Sequence, residues 1–455
     1  MTSKAITERI AEFAVGADVA SAPAELRERA LRAVLDTVGV SLAGKGDAAV
    51  EALWRTVGHE CGPGTSTILT TGGRTTATQA ALLNGLAAHA LDYDDVTHPI
   101  YGHASVALVP ALLAVAEEQG ASGTDLLDAY VVAYQVIVAL GAGLAIREHY
   151  SRGWHSTATT GVVAATAGAA RLCGLGTAAT RRAIGIAASM ASGSRQNFGT
   201  MTKPLHPGIS GRDAVFATHL AANGFTADES QLESPLGYFA MYGEPGDPVA
   251  AAERLAGDWA LLADGINVKK YPCCYNTHRL ADATLELVPK LHGRTAEVTA
   301  ITITVEPGGG DPLIRHRPVT GLEAKFSSEY VCAAALLDGR VSLESFRDGA
   351  VRRDEAQALL RKVELRESAR VPFGPAEYDY AYAAVEIEVG GETHRKRVDI
   401  PRGDARLPLT DDELAAKFRD CVAYSGAGDA EALLAELRAL PETERLGARA
   451  LGSRP

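Results

Sequence analysis

Several patterns that would readily assign a function are missing from this sequence. Its six cysteines form no C-x-x-C pair, and Cys273 and Cys274 are adjacent, which is typical neither of a zinc knuckle nor of a secreted disulfide framework. No G-x-G-x-x-G segment follows a strand-like run, and there is no phosphate-binding P-loop. The sequence therefore predicts reduced thiols and no nucleotide or redox cofactor.

Basic runs, membrane spans and an export signal are missing as well. The 44 basic residues are outnumbered by 56 acidic ones, which gives a formal charge of −12. No stretch concentrates Lys and Arg, and this argues against nucleic acid or an anionic membrane as the main partner. Polar residues interrupt each apolar run before about 20 apolar positions accumulate. The first residues are amphipathic and show no signal-peptide pattern, so we predict a cytoplasmic protein.

The sequence does contain ample apolar material. A chain of 455 residues is expected to form two or three domains. From the start to about residue 265 the pattern is helical: apolar residues between Leu26 and Leu42 recur at the spacing of one helix face, and Gly44 is placed to end that helix. Four longer runs follow, at 104–118, 124–146, 158–174 and 180–193. They are rich in Ala and Gly, which permits close approach between buried helices.

The composition changes near residue 266. Residues 297–305 and 382–389 alternate β-branched or apolar residues with others, which predicts strands mixed with helices. Residues 410–423 then combine an acidic first turn with a helical period. The predicted organisation is a helical domain formed by 1–265 and completed by 401–455, with an α+β domain at 266–400.

The most informative segment is Ala87–Ser105, which follows a strongly apolar run and contains Asp92, Asp94, Asp95, His98 and His103. Burial and mutual contact can bring the pKa values of carboxylates and imidazoles near neutrality, so the cluster is a candidate acid/base site. Asp92 and Asp95 are spaced to share a helix face, and Pro99 and Gly102 predict a loop that delivers His103. The alternatives are a solvated helix terminus and a metal site, although no H-E-x-x-H or EF-hand spacing is present.

Three later segments supply partners for this cluster. In GWHSTATTG, His155 precedes a helix start rich in hydroxyls, where free backbone amides favour an anion. A capping histidine is the alternative. In TMTKPLHPG, Lys203 and His206 are predicted to lie in an extended, proline-constrained loop of the kind that holds ligands.

The third segment, KKYPCCYNTHRLAD, adds Lys269 and Lys270 before a Tyr-Pro pair and His278 in the predicted first turns of a helix. For Lys203, Lys269 or Lys270 taken singly, the alternative is a solvated surface charge. Several cationic loops flanked by Gly and Pro in an acidic chain nevertheless favour a site for a di- or tricarboxylate.

With these segments in view, the sequence resembles the MmgE/PrpD family nearly end to end. The matching motifs are LDTVGVSLAG at 35–44, NGLAAHALDYDD at 84–95, GHAS at 102–105, GWHSTATTG, NFGTMTKPLHPG, KKYPCCYNTH, EAKFSSEYVCAAALLDG at 323–339 and LTDDELAAKFRDC at 409–421. The family includes 2-methylcitrate dehydratase, cis-aconitate decarboxylase and iminodisuccinate epimerase. Its members share these motifs, which therefore indicate the family better than the substrate.

The resemblance implies a mostly α fold: a large helical domain made from the N-terminal portion and the C-terminal tail, a smaller α+β lid domain, and an active site in the cleft between them. It also implies a homodimer. Two departures from the family pattern stand out. GHAS replaces the more usual HPS, which bears on the loop that carries His103, and Lys270 stands where many relatives have Pro, which bears on substrate recognition.

The family's functional positions correspond to Asp92, His103, His155, Lys203 and the region of Lys269 and His278. The shared chemistry is the making or breaking of a bond at carbon next to a carboxylate, which needs a base, an acid and cations. The resemblance thus implies His103 and His155 as the acid and the base, in either order. Asp92 and Asp95 are predicted to orient an imidazole or raise its basicity.

The remaining predicted residues bind the substrate. Lys203 belongs to both groups, and the predicted substrate contacts are Thr97, His206, Lys269, Lys270 and His278. The partner is therefore predicted to be a small anionic carboxylate, and no metal is expected.

The predicted function is that of a cofactor-independent lyase that removes water from a hydroxylated tricarboxylate, as 2-methylcitrate dehydratase does. An epimerase of the iminodisuccinate type is the first alternative, favoured by the local sequences HYSRGWH and LLDGRVSLESF. A cis-aconitate-type decarboxylase is the second. A carboxylate-binding protein is the non-enzymatic alternative, because a binder needs the cations but not the histidines.

Overall fold

The protein, described here by a computed structural model of residues 5–448, divides into two compact units. One contains the chain up to Ile266 together with the segment from Glu413, and the other is Asn267–Asp412. The first is helical apart from a short hairpin, and the second combines helices with a small mixed sheet. The predicted fold class, a large helical domain and a smaller α+β domain, is confirmed.

The helices are α1 (Ile6–Gly16), α2 (Glu25–Ala43), α3 (Ala48–Val57), α4 (Ala77–Ala90), α5 (Ala104–Gln119), α6 (Gly123–Gly143), α7 (Ile146–Ser151), α8 (Ser156–Leu172), α9 (Thr177–Ala188), α10 (Thr202–Ala222), α11 (Tyr238–Tyr242), α12 (Pro248–Ala256), α13 (Ala260–Ala263), α14 (His278–Leu287), α15 (Gly321–Ala324), α16 (Ser328–Asp338), α17 (Asp348–Val351), α18 (Asp354–Leu360), α19 (Asp411–Ser425) and α20 (Ala430–Arg438). The strands are β1 (Ser66–Thr67), β2 (Arg74–Thr75), β3 (Val298–Val305), β4 (Val363–Glu367), β5 (Ala383–Val389) and β6 (Glu392–Val398).

The helices of the first unit follow the predicted apolar periods. Helix α2 ends at Ala43, immediately before Gly44, and the four Ala- and Gly-rich runs form α5, α6, α8 and α9. Close packing between them is confirmed as well. A Cβ atom on Gly161 of α8 would lie only 2.5 Å from that of Ala107 in α5, so α8 and α5 are in contact through small residues.

Helices α4 and α10 cross with their backbones in direct contact. A Cβ atom on Gly85 would lie 2.8 Å from the Cα of Gly208, and one on Gly208 would lie 2.6 Å from the carbonyl oxygen of Leu82. Only glycine fits at both positions, because any Cβ there would collide with backbone atoms. The crossing holds the end of α4 close to the start of α10.

One helix, α6, is long and apolar enough to cross a membrane by length and composition, but 89% of its apolar window is buried inside the protein. A core helix passes the same test. The feature therefore gives no support to a membrane span.

The C-terminal segment joins the helical unit through a buried ion pair. Lys417 Nζ in α19 lies 2.6 Å from Asp36 Oδ1 in α2, and it donates to the carbonyl oxygen of Tyr93 at 2.8 Å. The two charged side chains are only 4% and 1% exposed. Burial raises the pKa of Asp36, and the Lys417 ammonium opposes that shift. The pair thus ties α19 to both α2 and the segment after α4.

The α+β unit is built on a four-stranded sheet in the order β4-β3-β5-β6. Strand β3 runs parallel to β4 and antiparallel to β5, and β6 pairs antiparallel with β5. Gly390 and Gly391 join β5 to β6 with φ values of 57° and 80°, which is the conformation of a tight two-residue hairpin. The predicted strands correspond to β3 and β5, whereas the mostly polar β6 lies at the sheet edge and has no strand signal in the sequence.

Residues 401–412 remain with the α+β unit. The Val268 N–H donates to the carbonyl oxygen of Gly403 at 2.8 Å, and the Ala405 N–H donates to Asn267 Oδ1 at 3.0 Å. The Arg402 N–H bonds Asp282 Oδ2 at 2.6 Å. These bonds place the second boundary at 412/413, twelve residues beyond the predicted one.

We predict that Lys417→Met lowers the free energy of unfolding by about 3–5 kcal/mol, because the buried Asp36 carboxylate loses its partner. Urea unfolding followed by circular dichroism measures the effect. The matched control is the double variant Asp36→Asn/Lys417→Met, which removes both charges and should be less destabilised than the single variant. A single variant within about 1 kcal/mol of the wild type would contradict the assignment.

Candidate active site

The predicted acid/base residues of the helical unit lie at helix ends. His103 and His155 immediately precede α5 and α8, Lys203 is the second residue of α10, and Asp92 follows α4. Three of these positions are helix N-termini, where unpaired N–H groups and the helix dipole favour negative charge. The local electrostatics thus suit an anionic ligand.

Lys203 and Asp92 form a buried ion pair. Lys203 Nζ donates to Asp92 Oδ1 at 2.7 Å, and the side chains are 10% and 9% exposed. Asp92 has a φ of 53°, a left-handed conformation that is costly for a residue other than glycine and that recurs at functional sites. The alternative of a solvated surface lysine is therefore wrong for Lys203.

Two local predictions about this pair are wrong. Asp92 and Asp95 do not share a helix face, because α4 ends at Ala90 and the positive φ of Asp92 turns the chain. Lys203 and His206 lie in the first turns of α10 instead of an extended loop. Pro204 is compatible with that helix because the N–H groups of a first turn need no intrahelical partner.

The orientation of the His103 ring is fixed by two acceptors. Its Nδ1 lies 2.7 Å from the carbonyl oxygen of Asp95 and 2.9 Å from Asp94 Oδ2. A carbonyl oxygen can only accept a hydrogen bond, so Nδ1 carries a proton. The other ring nitrogen, Nε2, is therefore the atom that His103 offers for proton exchange, and the His103 side chain keeps 14% exposure.

Asp94 also binds a second histidine. Its Oδ2 lies 2.9 Å from His89 Nδ1, and both side chains are almost fully buried. Burial by itself would raise the pKa of Asp94, but the imidazoles of His89 and His103 hold that pKa well below its usual range. Burial lowers the pKa of His89 to about 4. A charged carboxylate thus sits between His103 and a neutral His89.

His155 pairs with His206. Their Nδ1 atoms are 2.9 Å apart, and the His155 and Phe198 rings are nearly perpendicular with centroids 5.0 Å apart. Burial lowers the pKa of His155 well below its usual range, and His89 and Lys203 add to that shift. His155 occupies the N-cap position of α8, but its side chain makes no capping hydrogen bond. Its ring is therefore engaged with His206 rather than with the helix start.

Asp95 supports the start of α5. Its carboxyl group bonds the Ser105 hydroxyl, which in turn lies 2.8 Å from the Tyr130 hydroxyl. Burial raises the pKa of Asp95 to about 7, against the opposing effect of the Ser105 bond. Asp94 and Asp95 are each 1% exposed, so the alternative of a solvated helix terminus is wrong.

The loop before His103 is closed by Thr97. Its N–H donates to the Gly102 carbonyl at 2.8 Å, and the Gly102 N–H donates back at 3.4 Å. A Cβ atom on Gly102 would lie 2.8 Å from Thr157 Oγ1. Ala104 then opens α5 at a first-turn position that proline also accepts, so GHAS starts the helix as HPS would. Contact of Thr97 with substrate stays a prediction.

The remaining predicted residues lie in the α+β unit. Lys269 is 1% exposed, and Lys270 Nζ lies 3.6 Å from Asp282 Oδ1. His278 is fully buried and begins α14, as predicted, with its ring 5.1 Å from that of Tyr275. The roles of these three residues in substrate binding stay predictions.

Sequence reasoning assigned no role to His89 or Asp94. Asp94 belongs to the noticed cluster, but nothing in the spacing separates it from Asp92 and Asp95. His89 carries a clearer signal, since it is a polar residue inside the apolar run of α4, and buried polar residues are expected to have partners.

Comparison with known proteins identifies the family of this chain. Residues 8–250 match the MmgE/PrpD N-terminal domain, and residues 271–440 match the MmgE/PrpD C-terminal domain. The chain belongs to the MmgE/PrpD family.

Several curated relatives are named cis-aconitate decarboxylase. The protein from Mus musculus is 30% identical over 436 residues, which cover 92% of this chain and 87% of the relative. The Homo sapiens protein is 29% identical, with 92% and 88% covered, and an Aspergillus terreus protein is 25% identical, with 91% and 88% covered. The prediction that the chain is an enzyme of the MmgE/PrpD family is confirmed.

Within this family member, one group of residues has the composition of a metal site. His89, Asp94 and His103 each offer a ligand atom, and these atoms lie within 4.8 Å of one another. The bond from His103 Nδ1 to the Asp95 carbonyl places a proton on that nitrogen, so Nδ1 is not the atom of His103 that could bind a metal in this arrangement. The geometry is thus that of a hydrogen-bonded imidazole–carboxylate–imidazole group.

We predict that the MmgE/PrpD enzyme keeps its activity after exhaustive EDTA treatment, because these three side chains bind one another. Turnover before and after chelation and desalting measures this. Loss of activity that only a divalent ion restores would contradict the prediction.

Proposed function

We propose that the protein is a cofactor-independent lyase that exchanges protons at a carbon next to a carboxylate of a small di- or tricarboxylate. The observation that carries the proposal is the grouping of two separate imidazole centres with one buried cation. The centres are His103, held by Asp94, and His155, paired with His206, and the cation is Lys203. A protein that only bound a carboxylate would need the cation but not the two centres.

His103 is suited to remove a proton from carbon. Its Nδ1–H is directed to the Asp95 carbonyl and the Asp94 carboxylate, which leaves the Nε2 lone pair of the neutral ring for the substrate. The negative charge of Asp94 stabilises the imidazolium that forms when Nε2 takes the proton, the same role that a carboxylate has beside the histidine of a catalytic triad.

His155 is suited to give a proton. The pair that it forms with His206 contains one Nδ1–H, and the ring that accepts this hydrogen bond must carry its own proton at Nε2. When His155 is the acceptor, its Nε2–H is available to a leaving group or to a carbanion. His103, with a bare Nε2, thus supplies the base, and His155, with a proton on Nε2, supplies the acid.

Lys203 is suited to hold a substrate carboxylate. Its ammonium group is a compact positive charge, and the hydrogen bond to Asp92 Oδ1 fixes its position at the start of α10. The side chain lies over the Phe198 ring, with Nζ 5.5 Å from the centroid, and this contact restricts its orientation. A buried cation of this kind also stabilises the charge that develops on a carboxylate when the neighbouring carbon loses a proton.

Dehydration of a 2-methylcitrate-type hydroxy acid is the reaction that the two centres favour. It needs a base that removes a C–H proton and an acid that protonates the leaving hydroxyl, which departs as water. Decarboxylation of cis-aconitate is the second candidate, and the names of the relatives from Mus musculus and Homo sapiens favour it. That reaction needs one proton at the carbon that carbon dioxide leaves.

The proposal is tested by incubating the enzyme in D2O with 2-methylcitrate, cis-aconitate or iminodisuccinate and following each substrate by NMR. Dehydration gives the alkene, decarboxylation gives a deuterated dicarboxylate, and epimerisation gives deuterium at the stereocentre. The matched control is the double variant His103→Gln/His155→Gln. A wild-type protein that binds these acids without turnover or deuterium uptake would contradict the lyase proposal.

We predict that Lys203→Ala lowers kcat/KM by about 10² or more, the scale of a lost charge-assisted hydrogen bond. Steady-state kinetics on the accepted substrate measure this, with circular dichroism to verify folding because Asp92 loses its partner. The matched control is Lys45→Ala, since Lys45 is exposed in the same unit. An unchanged kcat/KM would remove Lys203 from the substrate site.

We predict that His103→Gln or His155→Gln lowers turnover by about 10² to 10⁴, the usual contribution of a positioned acid or base. Glutamine keeps hydrogen-bonding capacity but cannot exchange a proton at neutral pH, so substrate affinity should change less than kcat. Turnover and substrate binding measured on both variants decide this. Wild-type turnover in both would transfer the acid/base role to Asp92 or Lys203.

The family resemblance also supports a homodimer and a cytoplasmic location, which we propose together with the reaction. Light scattering coupled to size-exclusion chromatography tests the assembly, and a monomeric mass near 47.6 kDa would contradict it.

A further inference from the structure

The contact between His155 and His206 constrains where protons can be. Their Nδ1 atoms are 2.9 Å apart, so one nitrogen must donate and the other accept. If both rings are neutral, the donor has a bare Nε2 and the acceptor has a protonated Nε2. A neutral pair therefore presents one Nε2 donor and one Nε2 acceptor. These two roles exchange when the shared proton moves while the acceptor ring releases its Nε2 proton and the donor ring takes up a proton at its own Nε2.

The surroundings keep this pair neutral. His89, Lys203 and His103 lie around His155, and burial and Lys203 both lower the pKa of His206. A second positive charge beside the Lys203 ammonium is costly in a buried site. Proton movement without a net charge avoids that cost.

Two further contacts hold the rings in place. The backbone N–H of His155 donates to the Gly193 carbonyl at 3.0 Å. A Cβ atom on Gly193 would lie 3.4 Å from both His206 Nδ1 and His155 Cβ. Gly193 has a φ of 116°, which favours glycine. The Phe198 ring packs nearly perpendicular to the His155 ring. His206 is 8% exposed and His155 is 1% exposed, so His206 is the less deeply buried residue of the pair.

From this geometry we propose that His206 is a positioning residue that passes protons between water and His155, so that the two rings work as a neutral two-state relay. This inference rests on the proposed function, in which His155 exchanges a proton with substrate. In this role His206 Nδ1 bonds His155, and it does not bond a substrate carboxylate.

The proton balance of one step is as follows. His155 Nε2–H gives its proton to the substrate, the shared proton moves from His206 Nδ1 to His155 Nδ1, and His206 Nε2 takes a proton from water. One proton enters and one leaves, and the pair ends in its other tautomer with no change of charge. In that state His155 Nε2 is a base, and the reverse sequence restores the acid.

The shared proton is observable without any substrate. In protein labelled with ¹⁵N-histidine, a scalar coupling between the two Nδ1 nuclei is expected across the N–H···N bond in the wild type. It should be lost in His206→Asn. Absence of this coupling in the folded wild-type protein would overturn the pairing, whatever the outcome of the activity assays.

The kinetic test uses the same variant, His206→Asn, because the introduced amide can still bond His155 but cannot pass a proton on. We expect kcat to fall by about 10² with KM little changed, and added imidazole to restore part of kcat. The matched control is His59→Asn, since His59 is exposed in the helical unit. Wild-type kcat in His206→Asn, or a loss that imidazole does not restore, would overturn the relay.

The two measurements separate the two proposals. If the wild type turns over none of the tested acids, the proposed function fails, while the ¹⁵N coupling still decides whether the proton is shared.

Discussion

The site depends on the short distance between α4 and α10. Gly85 and Gly208 make this distance possible, because they let the backbones of the two helices touch. Asp92 follows the end of α4 and Lys203 lies in the first turn of α10, and their ion pair spans the two helix ends at 2.7 Å. His206 lies one turn further along α10, where its ring meets His155. Larger side chains at the crossing would separate the helices and, with them, the cation from the carboxylate.

Electrostatics then determine the protonation states that this arrangement can use. Charged side chains of the site include the Asp92–Lys203 pair and the Asp94 carboxylate, while burial lowers the pKa values of His89, His155 and His206. A buried imidazolium without a carboxylate partner is costly. His103 has such a partner in Asp94, whereas His155 has only another imidazole. The two histidines that the sequence leaves equivalent are therefore different in chemistry: one can carry positive charge, and the other can exchange a proton while remaining neutral.

The sequence predicted most of the long helices and two of the strands, and it supplied candidate site residues, but it did not predict the contacts between them. The apolar periods gave α2, α5, α6, α8 and α9, because a helix face buried against neighbours repeats every three to four residues. Asp92, His103, His155 and Lys203 followed from composition and family motifs. The segment TMTKPLHPG, predicted as a loop on account of its two prolines, is helical from Thr202 onward. The tautomer of His103 depends on the Asp95 carbonyl oxygen, a backbone atom whose position no side-chain pattern encodes.

The relay also bears on why one set of residues suits both candidate reactions. Dehydration returns to the solvent as many protons as it takes up, so its acid and base need only be reset between turnovers. Decarboxylation of a tricarboxylate places a new proton on carbon in every cycle, and that proton must come from water. In the proposed relay His155 Nε2 supplies that proton and His206 Nε2 takes one from water. Before the next turnover the pair returns to its first tautomer, as His155 Nε2 takes a proton from water and His206 Nε2 releases one. On this proposal, family members that catalyse different reactions can keep the same helix ends and histidines. The orientation of the substrate carboxylates relative to His103 and His155 then determines which reaction takes place.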